Sequence, residues 1–337
     1  MSTQIEIFRQ LLCKLGQEIR DTLYQHQQRN TEELSAIAAK TQADTIYEID
    51  KVSEELILAW LKENWPAHSP VRLIMEGIED DQFVTFPANA EKNELLHQLI
   101  IDPIDGTRGL MYDKRPAWAL IGLAPHILER QVTLEDIEVA VMTELPTSKQ
   151  FISEQLSATR FSDGETAFYR VSKNLISNEE HEVPHRLSKA TDLKHGFASI
   201  AKFFPQCKAA LAQFEEELYA ELTPENETQE ALIFDDQYIS TGGQLYELIA
   251  GHDRLVIDVR PLAFEKANLP LALSCHPYDL CTALVAKAAG VVIELPGQET
   301  LDIPLDTTTP VSWIAYANPM LAEKIRPVVS RLIQKHF

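Results

Sequence analysis

The chain has 337 residues, is 45% hydrophobic and 24% charged, and sets 30 Lys and Arg against 51 Asp and Glu for a net charge of −21. That surplus of acid excludes a general binder of nucleic-acid polymers or anionic membranes. The length exceeds what one core usually serves and predicts two packed lobes.

The N-terminal stretch repeats Ile5, Phe8, Leu12, Leu15 and Ile19 at helical spacing, predicting an amphipathic helix over 3–28. Its early charges do not fit a signal peptide, and no apolar run nears the ~20 residues of a membrane span. The cytoplasm is the expected location. The four cysteines, Cys13, Cys207, Cys275 and Cys281, form no C-x-x-C pair and read as reduced thiols. A second helix is expected from Lys51 to Asn64, after Asp50, with Val52, Leu56, Ile57, Trp60 and Leu61 on one face and Pro66 past its end. Residues 71–77 form a short buried strand ending at Glu76-Gly77, and 80–95 a polar loop. A further strand, 95–102, runs into IIDPIDGTRGL (100–110), and strands 118–126 and 137–145 follow as consecutive antiparallel partners.

Beyond these, composition places a lobe boundary near 190, giving an N-terminal α+β lobe, 1–190, and a C-terminal α/β lobe, 191–337. The cationic stretch with Lys189, Lys194, His195 and Lys202 reads as a solvated face. Residues 207–232 form an acidic helical segment with the look of a surface insertion. STGGQ (240–244) is read as a turn and 254–260 as a strand. Asp279 stands at a helix start after Pro277, with Leu280, Leu284 and Ala288 at helical spacing, Gly290 as the stop and 291–295 as a strand.

The candidate acids sit at element ends: Glu76 and the pair Asp102 and Asp105 end strands, and Asp279 opens a helix. In layered α/β structures such ends gather into one crevice. Four carboxylates together repel, and hard divalent cations, magnesium or manganese, resolve the repulsion. Pro103 keeps Asp102 extended, and a turn after it is expected to swing Asp105 back to the same point, with the Ile104 carbonyl as a further oxygen ligand. Gly106 allows close backbone approach, and Thr107 adds a hydroxyl and an N–H to what a helix start offers an anion. Metals beside such donors suit hydrolysis of a phosphate ester by a metal-activated water. The spacing fails a calcium EF-hand loop, because Ile104 and Gly106 fall on ligand positions. No Walker phosphate loop is present. The six residues DPIDGT alone also fit a plain strand followed by an Asp/Gly turn.

The set ADTIYEID (43–50), LIMEG (73–77), DPIDGT (102–107) and YDLCTALVAKAAG (278–290) resembles the inositol monophosphatase superfamily of magnesium-dependent, lithium-sensitive phosphatases. The order and approximate spacing agree over most of the chain. The resemblance implies an α+β fold, a layered α-β-α-β-α sugar-phosphatase-type sandwich of two packed lobes. It implies two or three Mg2+ ions (or Mn2+) on Glu76, Asp102, the Ile104 carbonyl, Asp105 and Asp279. Thr107 paired with Asp50 would activate the attacking water, with Glu76 supporting a third ion, and Asp105, Gly106, Thr107 and Asp279 would face the phosphate. The substrate would be a small phosphorylated metabolite such as a polyol or sugar phosphate. Bisphosphate nucleotidase, fructose-1,6-bisphosphatase and a non-catalytic ligand-binding module are the alternatives. A homodimer is implied by the resemblance alone. The chain departs from the family at Met75-Glu76-Gly77, where a second glutamate is lost and Glu79 lies nearby, at Tyr278, at Arg108-Gly109-Leu110 and over 259–275.

Overall fold

The computed structural model describes residues 2–29, 42–78, 82–223, 232–271 and 274–337, and within the first two helices the side chains at 2–3, 28–29 and 42–51 are not described. Its helices and strands stack as the five layers of the sandwich, with helices outside, between and beyond two sheets.

The outer layer is α1 (Ser2–Arg29) and α2 (Gln42–Asn64). The apolar stripe of α1 is buried as the spacing predicts, with Phe8, Leu12, Leu15, Ile19 and Leu23 against the first sheet. Gly16 permits this: a Cβ there would lie 2.2 Å from Thr143 Oγ1. Helix α2 begins nine residues earlier than its apolar pattern suggests, so Asp50 lies inside it rather than capping its start. Ile57 and Leu61 are the buried apolar residues among those described in it, while Val52, expected on that face, is exposed.

The first sheet has the order β2-β1-β3-β4-β5-β6-β7-β8. Its strands are β1 (Val71–Met75), β2 (Val84–Phe86), β3 (His97–Asp105), β4 (Ala117–Pro125), β5 (Val139–Leu145), β6 (Ile152–Arg160), β7 (Thr166–Asn174) and β8 (Glu180–Glu182). Strands β3, β4 and β5 pair antiparallel in succession, as expected, while β1 runs parallel to β3. The second sheet, β10-β9-β11-β13-β12, is built from β9 (Gly196–Ile200), β10 (Ile233–Phe234), β11 (Asp253–Asp258), β12 (Val292–Glu294) and β13 (Trp313–Tyr316).

Between the sheets lie α5 (Thr241–Ala250) and α7 (Ala283–Ala288). Leu245, Leu248 and Ile249 of the first and Leu284 and Val285 of the second join Trp118, Leu120, Met142, Leu255, Ile257 and Trp313 in one continuous core. Outside the second sheet lie α4 (Lys208–Leu222) and α8 (Pro319–His336), while the short α3 (Thr107–Met111) and α6 (Arg260–Lys266) follow the C-terminal ends of β3 and β11. The acidic segment read as a surface insertion is in part core. Leu211, Phe214 and Leu218 of α4 are fully buried, and Phe214 meets the rings of His336 and Phe337 at the end of α8. Burial of that stripe outweighs the charge on the helix's other face. No helix among the described residues is long and apolar enough to cross a membrane.

Phe214→Ala should therefore destabilise the chain by ~3–5 kcal/mol in urea denaturation; a loss below ~0.5 kcal/mol, typical of a surface position, would return α4 to the status of an appendage.

Candidate active site

Two features bring the acids together. The first is a bulge in β3. Asp102 pairs with Leu120 of β4 and Asp105 with Trp118, so three steps on β3 span two on β4. Side chains alternate along a strand, and residues three apart would ordinarily point to opposite faces. The extra residue restores the parity, and both carboxylates point to the face that carries α5 and α7. Ile101 and Ile104 go to the other face, in the core under α1 and α2. The bulge within β3, rather than a turn after Asp102, does the work expected of the DPID spacing.

The second feature is the segment before α7. Asp279 does not open the helix. It lies in a run of tight turns, with bonds such as Asp279 N–H to His276 O and Leu280 N–H to Pro277 O, and α7 starts at Ala283. Its Oδ2 accepts the His276 backbone N–H at 2.6 Å, so the side chain closes its own loop and is aimed across the crevice. The result is a triad: one carboxylate oxygen from each of Asp102, Asp105 and Asp279 lies within 4.8 Å of the other two.

Each acid is tied differently. Asp102 Oδ1 accepts the Ile104 N–H at 3.0 Å. Asp105 accepts from the start of α5: Ser240 Oγ and Gly242 N–H reach Oδ2 at 2.7 and 2.6 Å, and Thr241 N–H reaches Oδ1 at 3.2 Å. These donors belong to STGGQ, which the sequence presents only as a turn; it is the capped beginning of α5. A Ser followed by small residues before the apolar run LYELIA was the available signal.

Burial holds all three acids above the usual carboxylate range. For Asp102 the charges of Glu76, Asp105 and Asp279 add to burial, and for Asp279 that of Asp105 does. For Asp105 burial pushes the value up to about 6, against the lowering effect of Ser240, Gly242 and Thr241. Arg260 is a nearby cation that helps Asp279 ionise, but it is held by Asp258 through Nε and Nη2 at 2.8 and 2.5 Å. Two buried and one half-buried, mutually repelling carboxylates, with little cationic compensation among the described residues, fit a hard divalent ion, and the all-oxygen donor set suits magnesium or manganese.

The other expected residues divide. Glu76 follows β1, is exposed, and stands outside the triad, although its charge reaches both Asp102 and Tyr278. The Ile104 carbonyl accepts the Thr107 hydroxyl at 2.7 Å. Gly106 has φ 94°, and a Cβ there would lie 2.9 Å from Ser240 Cβ, so glycine is required both by conformation and by the approach of α5. Thr107 begins α3, whose first-turn N–H groups have no partner within the helix. The Asp50 side chain and Glu79 lie outside the described residues. Tyr278 stacks on His276, with ring centroids 5.4 Å apart, and its hydroxyl is 3.3 Å from His276 Nδ1. Arg108 is exposed.

Residues 1–134 match the family model described as "Inositol monophosphatase family". That stretch contains Asp50, Glu76 and the whole of DPIDGT; Asp279 falls beyond it. Solved structures share the fold over nearly the full chain. Mycobacterium tuberculosis SuhB is 14% identical with 97% of each chain covered and a TM-score of 0.59. Leishmania major fructose-1,6-bisphosphatase in holo form is 13% identical, with 96% of this chain and 93% of that one covered and a TM-score of 0.62. Inositol monophosphatase-II from Staphylococcus aureus MSSA476 is 12% identical, with 96% and 97% covered and a TM-score of 0.54. No curated protein sequence matches significantly. The fold is thus that of the inositol monophosphatase and fructose-bisphosphatase sandwich. The resemblance to the inositol monophosphatase family, read from the motifs, is borne out by the family match over residues 1–134.

The raised carboxyl values set the pH dependence of the metal-free chain. Between ~4, the ordinary carboxylate value, and about 6 the folded state keeps a proton on Asp105 that the unfolded state has released. Stability contributed by this group therefore falls as pH rises through that window and levels off above it. Glu144 and Asp253, each raised by burial to about 7, extend the decline in the same direction. Asp102→Asn should raise the melting temperature of the EDTA-treated chain at pH 7, and Mg2+ should raise the melting temperature of the wild type more than that of the variant. Melts of both forms with and without Mg2+ check the sign.

Proposed function

We propose that the chain is a magnesium-dependent phosphomonoesterase acting on a small polyol or sugar phosphate. The observation that carries this reading is the triad of buried Asp102 and Asp105 and half-buried Asp279, set beside the Gly106-Thr107 helix start. Asp102, Asp105 and Asp279 would hold the cations, with Glu76 and the Ile104 carbonyl as further oxygen ligands. When bound, Mg2+ (or Mn2+) supplies charge neutralisation at the phosphoryl oxygens and a water of lowered pKa. The chain's own residues do the rest. The N–H groups of Gly106 and Thr107 bind phosphate oxygens at the start of α3. Asp105 and Asp279 border the same space and fix the orientation of the ester. The Thr107 hydroxyl has its proton committed to the Ile104 carbonyl, so its oxygen lone pairs are available to accept from the attacking water and orient it. Asp50 takes the proton from that water at its carboxylate. Burial of the triad keeps bulk water from screening the charges.

A nucleotide substrate is the second reading, favoured by the half-buried His276 and Tyr278 stack next to Asp279, which offers an aromatic face to a base. The solved relatives include a Staphylococcal inositol monophosphatase-II bound to 2'AMP as well as the Leishmania fructose-1,6-bisphosphatase. A non-catalytic binding module is disfavoured because the triad is complete. A location in the cytoplasm and inhibition by lithium go with the main reading.

With Mg2+ present, purified protein should release phosphate from inositol monophosphate, fructose 1,6-bisphosphate or adenosine 3',5'-bisphosphate, and kcat/KM across the three identifies the alcohol. Silence across such a panel would overturn the assignment. Asp279→Asn should lower kcat by more than ~100-fold, beyond the loss from an outer-shell partner; turnover near wild type would remove Asp279 from the site.

A further inference from the structure

The STGG run has no part in the reading above, yet its contacts are among the most constrained in the molecule. Ser240 is buried, has an extended backbone, and spends one hydroxyl twice: it donates to Asp105 Oδ2 at 2.7 Å and accepts the Gly243 N–H at 2.9 Å. A hydroxyl has one proton and two lone pairs, so both bonds form without conflict. The two glycines leave no room for alternatives. A Cβ on Gly242 would lie 2.6 Å from Leu120 Cδ2 and 3.0 Å from Asp105 Oδ2, and one on Gly243 would lie 2.3 Å from the Tyr238 ring. Tyr238 is itself fixed, its hydroxyl donating to the Pro116 carbonyl at 2.8 Å and accepting from Trp118 Nε1 at 3.2 Å. The start of α5 is therefore clamped against β4, and Asp105 is clamped to it.

The load on Asp105 is uneven. Oδ2 takes two short hydrogen bonds, while Oδ1 takes one of 3.2 Å. We infer that Ser240 is a positioning residue for Asp105, committing Oδ2 to α5 and thereby presenting Oδ1 as the single oxygen available to a cation. This rests on the metal-dependent reading of the triad. A carboxylate free to rotate would pay ordering entropy on each binding event and could offer both oxygens to one ion. One held by three donors offers one oxygen in one direction, as a small octahedral ion requires.

The hydroxyl's two roles can be separated, because glycine is a tolerable N-cap but donates nothing to Asp105. Mn2+ is titrated calorimetrically into EDTA-stripped, dialysed wild type, Ser240→Gly and Ser240→Thr, and the metal-free melting temperature of each is recorded. Ser240→Gly should bind Mn2+ about tenfold or more weakly, the usual scale for an outer-shell partner, while its metal-free melting temperature falls by only a few °C, as the loss of one hydrogen bond to a buried carboxyl gives. Ser240→Thr, which keeps a hydroxyl, should recover most of the affinity. Wild-type affinity in Ser240→Gly would reduce Ser240 to a helix cap and overturn the inference alone. A wild-type chain that binds no Mn2+ would instead overturn the metal-dependent reading, and the inference with it.

Discussion

One irregular step in a strand decides the character of this protein. A regular β3 would send Asp102 into the α5 and α7 layer and Asp105 to the opposite face, among the aliphatic side chains under α1 and α2. The bulge between them, with Pro103 unable to donate to the ladder, turns both acids to one side. Everything else at the site answers the electrostatic problem this creates. Helix α5 aims its first N–H groups at Asp105, the 276–282 turns bring a third carboxylate rather than a cation, and the nearest arginine is claimed by Asp258. Among the described residues these hydrogen bonds compensate the acids only in part, which leaves a cluster that could take up a cation.

What could be read from the sequence follows from the range of the forces involved. The stripe of α1 and the strands β3 to β5 depend on local periodicity and are visible as such. DPIDGT is visible because proline, glycine and paired acids have strong local preferences. The start of α2 was not, because its first turns, Gln42 to Asp50, lack the apolar repeat seen from Lys51 on. Val52 looks like a core residue from spacing alone, yet Ile57 and Leu61 take the buried face. Asp279 lies with Asp102 and Asp105, but in a run of tight turns rather than at the expected helix start, because the two share the same Pro and Asp signals. The partnership of Ser240 with Asp105 bridges 135 positions, and no local pattern encodes it. The acidic α4 looked like an appendage because its charges dominate its composition, although Leu211, Phe214 and Leu218 at i, i+3 and i+7 carry the packing.

The central layer ties stability to chemistry. Helices α5 and α7 are short and are held on both sides by sheets, so their ends are fixed by packing rather than by helical propensity. Trp118 shows the economy of this. On β4 it pairs across the ladder with the bulged strand at Asp105, it packs against Tyr246 of α5, and its indole N–H meets Tyr238, which walls the turn leading into α5. A change in the core at this point reaches the carboxylates through a single side chain.

The connector from β8 to β9, residues 183–195, carries the chain from the first sheet to the second, and it divides the triad unequally, Asp102 and Asp105 before it and Asp279 after. Cutting there would bare the inner face of the first sheet in one fragment and the outward faces of α5 and α7 in the other, and would leave neither with the complete triad. Their recombination would be driven by the large shared core and would bring the three carboxylates back together. The seam between the sheets is thus a place where this fold could be made into a split sensor of proximity, with the reassembled triad marking that the halves have met.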